Sequence, residues 1–498
     1  MGTLRAKTLL YPGSHGLNTI EATLGDENTR YGAVVTNGVV DSGGKLTSRK
    51  DFVNQTVGFS NTIKALFAWR QRSGSEVILS GDTTGAVHSG TSSLSTRWSS
   101  SSVNANIQFA VMGSNVFMAQ AGVALTAMHE DYTFPALVGA ASNFTSPNVV
   151  MSAYGRVWAA DDAAGNNRYT VWWSNLLDGL TWNSGDAGSL NVSNAWPKGQ
   201  DSIVALVAAF SRLIIFGRRS ILMYTMPDNN APTGMILTDV VEDLGCIARD
   251  SVQVTDTGVY FLSDNGIYRI DRAEHTTSLM TTPPVSYLYN DEVLTQIAAE
   301  TATNIKSGYY PTEGYYVLSF PTSNVTFAVM TRKLTPLDGN RVVGMKWTNV
   351  GRPFYTFTFD KDGNWYSGGV NGVHKYTGYT PDGASNAYSL VFTAQWHPFE
   401  DESRLKHAKG ITLVLEAASG QTGTFDYNLD YLAGTTLSNS FTCSAAEFAE
   451  DPGVGNVSFQ IGGSFKVIRP SLSFAINGDA VTIHQMRIYA TPGAVKFG

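Results

Sequence analysis

The chain has little of what builds covalent staples, metal centres or long surface helices. Its 498 residues include 2 cysteines and 8 histidines, and only 15% carry charge. Cys246 and Cys443 stand far apart and outside any metal-like or redox-like pair, so each is expected to be a buried free thiol. The histidines are scattered, and no H-E-x-x-H occurs, so a zinc site has no support and no metal is expected. There is no G-x-x-x-x-G-K-[ST], no dinucleotide fingerprint on a βαβ unit and no G-x-S-x-G elbow, which argues against ATP use and acyl transfer. No cofactor is expected.

Long apolar stretches are missing too. The longest run, Ile203 to Phe210, falls far short of the roughly 20 residues that cross a bilayer, so no membrane span is expected. The opening MGTLRAKTLLYPG lacks the apolar core of a signal peptide, and Ala6 stands where a myristoylation signal needs Ser or Thr. Synthesis in a cytoplasm is expected, and the sequons at Asn143, Asn191, Asn324 and Asn456 are then chance matches in a Ser- and Thr-rich chain. The formal charge of −7 argues against gripping nucleic acid through its phosphates, a mode that needs clustered Lys and Arg.

What is plentiful is Gly (49 residues), aromatic side chains (11%), Ser and Thr, a composition of short strands and turns. One local design recurs: a β run, a tight polar or Gly turn, a second β run. The turns fall at Ser73-Gly74, Gly113-Ser114, Tyr154-Gly155, Ser211-Arg212, Asp256-Thr257, Thr312-Glu313 and Lys361-Asp362. The spacing is near the length of a β-propeller blade, about 40 to 50 residues for four strands. Residues 59–384 are therefore expected to form an all-β propeller of six or seven blades. Residues 1–58 have few periodic elements and read as an arm or platform. Residues 385–498 carry strand-like runs such as SLVFTAQW and GITLVLEAA, separated by the polar turn HPFEDESRLKHAK, and read as a sandwich-like β domain. The best helix candidate is Asn290 to Thr301.

Several motifs invite chemistry, and each has a plainer reading. SNLLDGLTW (174–182) partly matches the sialidase Asp-box, a propeller hairpin, with Leu177 and Asn175 where Asp and Ser should stand; Asp178, Gly179 and Trp182 are expected to be structural. Glycan hydrolysis would need paired carboxylates about 5 to 10 Å apart. The candidates, Asp161-Asp162 and Glu400-Asp401-Glu402, sit in apparent loops where solvated charge is the default. His129 beside Glu130 reads as exposed. Asp360-Lys361-Asp362-Gly363 reads as a β-turn, since the downstream acid of a calcium loop is missing. Arg218-Arg219, directly after Phe216-Gly217, reads as a solvated turn, with a subunit contact or a passing phosphate as the sharper alternative.

Three blocks, SNLLDGLTW, DSIVALVAAFSRLIIFGRRSILMY and GCIARDSVQVTDTGVYFLSDNGIYRI, follow in order between residues 174 and 270. Their marks are Gly179 to Trp182, Asp201-Ser202-Ile203, Phe216-Gly217, Ser220, Gly245-Cys246 and Gly266 to Tyr268. Ser403 to Lys406 and Met486 to Tyr489 follow near the end. In this order the blocks resemble the tail nozzle, or tail hub, proteins of short-tailed bacteriophages, also described as packaged-DNA stabilisation or head-completion proteins. The resemblance implies a structural virion protein without enzymatic activity, made in the host bacterial cytoplasm and forming a ring of six subunits below the portal. Its partners would be copies of itself, the portal adaptor, and tail fibre or needle proteins, with genomic double-stranded DNA passing through the lumen without sequence-specific binding. Six copies at −7 each would carry −42, which makes a tube wall repel DNA rather than hold it. The rival reading is a glycan-binding or glycan-cleaving propeller tail protein.

Overall fold

The computed structural model describes residues 4–19, 30–100, 106–227, 231–271, 284–332, 343–348, 352–380, 388–399, 403–432, 434–448 and 452–495. All seven turns read from the sequence join the first and second strands of successive antiparallel sheets. We number these blades 1 to 7: residues 63–99, 108–129, 149–191, 203–241, 253–270, 306–348, and 356–376 with an added strand. The second strands are largely buried, and some, such as Val259–Ser263 and Tyr315–Phe320, along their whole length. This is why they read as continuous apolar runs rather than alternating ones: both faces pack against neighbouring blades.

First strands lie innermost. Ile63–Arg70 packs beside Gln108–Met112, that strand beside Val149–Ala153, and Val149–Ala153 beside Ile203–Ala209. The short helical turn Arg249–Ser251 bridges blades 4, 5 and 6. Lys306–Tyr310 then meets Thr356–Phe359, which meets Ile63–Arg70 and completes the circle. Among the described residues six of the sheets stand alone, forming with blade 6 a β-propeller. Blade 6 itself continues through Gly32–Thr36 into a nine-stranded sheet.

The segment 1–58, read as an arm or platform, supplies strands to both parts of the molecule. Phe52–Asn54 is the fourth strand of blade 7, paired with Gly372–Tyr376. Arg5–Leu10 and Leu46–Ser48 pair with Thr482–Val495, and Gly32–Thr36 pairs with Tyr388–Ala394. In the C-terminal region two sheets face each other over one core that includes Leu390, Phe392, Leu413, Phe425, Leu472 and Ile488. Its strands alternate, as in Tyr388–Ala394, so one side of each faces the core. The one α-helix among the described residues, Asn290–Ala299, falls where the sequence placed it.

Propeller, N-terminal segment and C-terminal region meet at Arg49, whose side chain is fully buried. The guanidinium donates to the Asn37 Oδ1 (3.1 Å), the Lys50 carbonyl (2.7 Å) and the Thr348 carbonyl (3.2 Å), pairs with Asp51 at 3.4 Å, and lies 4.2 Å from the Tyr388 ring centroid. Removing one partner of a buried ion pair costs about 3–5 kcal/mol, because the other charge is left uncompensated. Arg49→Met is therefore expected to lower the melting temperature sharply. Adding Asp51→Leu should recover part of the loss, and a thermal melt of both variants that shows no change would refute this role.

Candidate functional site

The end of the propeller at which the innermost strands enter holds two adjoining cavities of about 530 and 330 Å3, which share Arg168, Ser202 and Arg218. The smaller is lined by residues of blades 2 to 6 and of the connections leading into them, among them Asn106, Asn148, Arg168, Arg218, Asp250 and Thr303.

Its wall is a network of matched charges. Arg249 donates from Nε and Nη2 to both oxygens of Asp250, each at 2.8 Å, and reaches the Asn148 Oδ1 (2.7 Å) and the Asn106 carbonyl (3.0 Å). Lys306, almost fully buried, donates to the same Asp250 carboxylate. Burial pushes the Asp250 carboxyl up, but Arg249 and Lys306 outweigh it and hold the group well below the usual carboxylate range. Burial also lowers Lys306, with Asp250 opposing.

Asp161 and Asp162, expected as solvated loop charges, are instead buried at the end of a central strand. Their burial has a local cause. The strand register shifts between Ala160 and Asp162, and Asp161 takes a positive φ of 58°. The bulge splits the two carboxylates. Asp161 accepts from Arg168 Nε (2.8 Å) and Asn148 Nδ2 (3.1 Å), while Asp162 accepts the amides of Thr145 (2.7 Å), Ser146 (3.0 Å) and Gly165 (3.0 Å). Both are engaged in holding backbone and side chains in place, which leaves neither as a ready acid or nucleophile. Glu400, Asp401 and Glu402 lie outside the described residues.

Most of the motif residues converge on two places. At the first, Trp182 is buried against Phe144, ring centroids 5.0 Å apart, and donates to the Gly179 carbonyl at 3.0 Å. Asp178 accepts the Leu180 amide at 2.9 Å, and a Cβ on Gly179 would stand 2.5 Å from the Phe117 ring. The second place is the turn after Phe216, a core residue between blades 4 and 5. Asp201 accepts the amides of Ser202 (2.8 Å), Arg218 (3.0 Å) and Arg219 (2.8 Å), and the Gly217 amide donates to the Ser220 carbonyl at 2.8 Å. Gly245 packs flat on that turn, since a Cβ there would lie 2.3 Å from the Arg218 backbone, and Cys246 donates its amide to the Gly217 carbonyl at 2.8 Å.

Thus Asp201, Gly217, Ser220 and Gly245, spread over 45 residues of sequence, build one rigid turn with Arg218 and Arg219 exposed at its tip. Gly266 and Tyr268 are elsewhere, on the last hairpin of blade 5; Gly266 abuts Asn290, and Tyr268 stacks on Phe261 at 6.0 Å. Sequence reasoning missed Arg168, Arg249 and Lys306, which carry no motif of their own and become partners only through blade packing.

The other candidates are local. Asp360 accepts the amides of Asp362 (3.0 Å) and Asn364 (2.8 Å), which makes a tight turn. His129 pairs with Asp131 at 2.9 Å, and Glu130 accepts the Arg72 amide at 2.5 Å. Burial pushes both thiols, Cys246 and Cys443, up to about 11. Among the described residues no group of three His, Cys, Asp or Glu side chains is placed to hold a metal ion, and no helix is long and apolar enough to cross a membrane.

No family model and no curated protein matches this chain. It is similar in structure to the extracellular domain of a protein described as a one-component system from B. thetaiotaomicron, at 11% identity and a TM-score of 0.44, covering 66% of this chain and 40% of that one. The chain thus spans less than half the length of that protein. Also similar are the WD40 β-propeller domain of Doa1 (10% identity, TM-score 0.39, 66% of this chain and 96% of that chain) and YCF48 from Cyanidioschyzon merolae (9%, 0.40, 66% and 98%).

The Asp250 network gives the fold an acid limit. A carboxyl held below its ordinary value of 3.8 contributes stability that is complete above that pH and is lost as pH falls toward the lower folded value. The melting temperature should therefore fall below about pH 4. Asp250→Asn should flatten that fall and cost about 2 kcal/mol or more at neutral pH, because Arg249 and Lys306 lose their counter-charge. A variant that melts like the parent at pH 7 and pH 3 would remove the network from the stability of the fold.

Proposed function

We propose that the chain is a structural virion protein, a subunit of the ring-shaped tail nozzle of a short-tailed bacteriophage that retains packaged DNA and serves as its exit channel. One observation carries the reading. The blocks that resemble nozzle proteins occur in order from Gly179 to Tyr268, and four of their residues converge on the single turn held by Asp201 and capped by Gly245.

Two further points support a mechanical role. The carboxylates at the propeller mouth are tied to amides and cations, which suits a load-bearing part more than a reacting one. The chain also carries −7, so a ring of copies presents a wall that DNA slides past rather than adheres to.

Electron microscopy of the purified chain mixed with a cognate portal–adaptor complex tests the proposal. The expected image is a sixfold ring that extends the tail axis. A chain that stays monomeric or trimeric and never docks would overturn the reading, and binding or cleavage of host polysaccharide by such a chain would establish the glycan-directed alternative.

A further inference from the structure

The turn that gathers the sequence motif leaves two cations without carboxylates. Arg218 and Arg219 are exposed and form no ion pair among the described residues. The neighbouring basic groups are all matched: Arg168 with Asp161 at 2.8 Å, Lys198 with Asp243, and Arg249 with Asp250 at 2.8 Å. The carboxylate that holds their turn, Asp201, already accepts three amides at 2.8 to 3.0 Å.

Both arginines stand on the larger cavity, about 530 Å3, where four basic side chains face two carboxylates in a chain that is acidic as a whole. Its remaining wall is polar, with Asn166, Tyr169, Gln200 and Ser202 offering donors and acceptors. The backbone beneath the arginines cannot drift, because Asp201 fixes both amides and Gly245 is pressed against the turn from behind. Two guanidinium forks carried side by side on a fixed backbone can accept a doubly charged oxyanion through bidentate hydrogen bonds.

We propose that this cavity is a binding site for a phosphoryl group carried on a small hydroxylated molecule, with Arg218 and Arg219 taking the oxyanion and Asn166, Tyr169, Gln200 and Ser202 taking the hydroxyls. The proposal is independent of the nozzle reading and tests separately from it.

Isothermal titration calorimetry on the full chain, with inorganic phosphate, glucose 6-phosphate and glucose as probes and sodium chloride at matched ionic strength as the control, decides the matter. Glucose 6-phosphate should bind about tenfold or more tightly than inorganic phosphate, and glucose and chloride should give no saturable heat. The Arg218→Ala/Arg219→Ala chain should keep its melting temperature and lose at least about tenfold in affinity for both phosphates. Equal affinity for the ion and the ester would overturn the hydroxyl half of the proposal, and phosphate binding that survives in the double variant would overturn the site. Should that variant fail to fold, Arg218→Lys/Arg219→Lys carries the same test, since it keeps the charge and removes the planar fork.

Discussion

A single buried guanidinium ties together the parts of this molecule that are far apart in sequence. Arg49 takes Asn37, Lys50 and Thr348 as acceptors and stacks on Tyr388, so one side chain touches the N-terminal segment, the end of blade 6 and the first strand of the C-terminal region. Asn37 completes the knot: its Oδ1 also accepts the Thr348 amide at 2.8 Å, and its Nδ2 donates to the Ser389 carbonyl at 3.0 Å. A charge buried this deeply is tolerable only when all these partners are in place at once. The junction is therefore satisfied in the complete fold alone, and propeller and C-terminal region are bound into one cooperative body.

Ring closure follows from the same junction. Phe52–Asn54 follows three residues after Arg49 and pairs with Gly372–Tyr376, joining segments more than three hundred residues apart. A three-residue ladder contributes only about 1 kcal/mol net per hydrogen bond. The Phe52 ring does more: its centroid lies 4.8 Å from Phe354, 5.0 Å from Tyr376 and 5.1 Å from Trp365, in a core that excludes water. Full burial of one such ring contributes about 2–3 kcal/mol, with about 1 kcal/mol more for each well-oriented aromatic pair. Loop-closure entropy grows only slowly with length, so this aromatic contact suffices to fasten the circle.

How much of this the sequence revealed depended on whether the signal was local. Most blade turns were legible because Gly74, Gly113, Gly155 and Gly363, all at positive φ, announce the hairpin through their own backbone requirements. The helix at Asn290–Ala299 was legible for the same reason. Residues 1–58 gave no such signal, since strands such as Arg5–Leu10 and Phe52–Asn54 are short and find partners hundreds of residues away. Asp161-Asp162 misled because the pair precedes Ala163, Ala164 and Gly165, which read as a turn; the amides that bury Asp162 belong to Thr145 and Ser146, beyond any local window. At the candidate site the motif supplied Asp201, Gly217, Ser220 and Gly245 by resemblance, but only packing shows that they form one object.

That object explains an otherwise odd distribution of charge. In a chain with more acids than bases, the propeller mouth concentrates cations and then neutralises nearly all of them: Asp161 pairs with Arg168 of its own blade, and Asp250 pairs with its neighbour Arg249 and with Lys306 of blade 6. The contacts that cross between blades restrict their mutual rotation, since Arg249 reaching Asn148 and Asn106 while Lys306 holds Asp250 cannot be kept if a blade slides. A wall fixed in this way is stiff, which is what the proposed conduit would require. Arg218 and Arg219 stand outside this scheme, on a turn as rigid as the rest. Their charges do not serve the blade contacts that bind the other cations, so the turn holds them for something outside the fold.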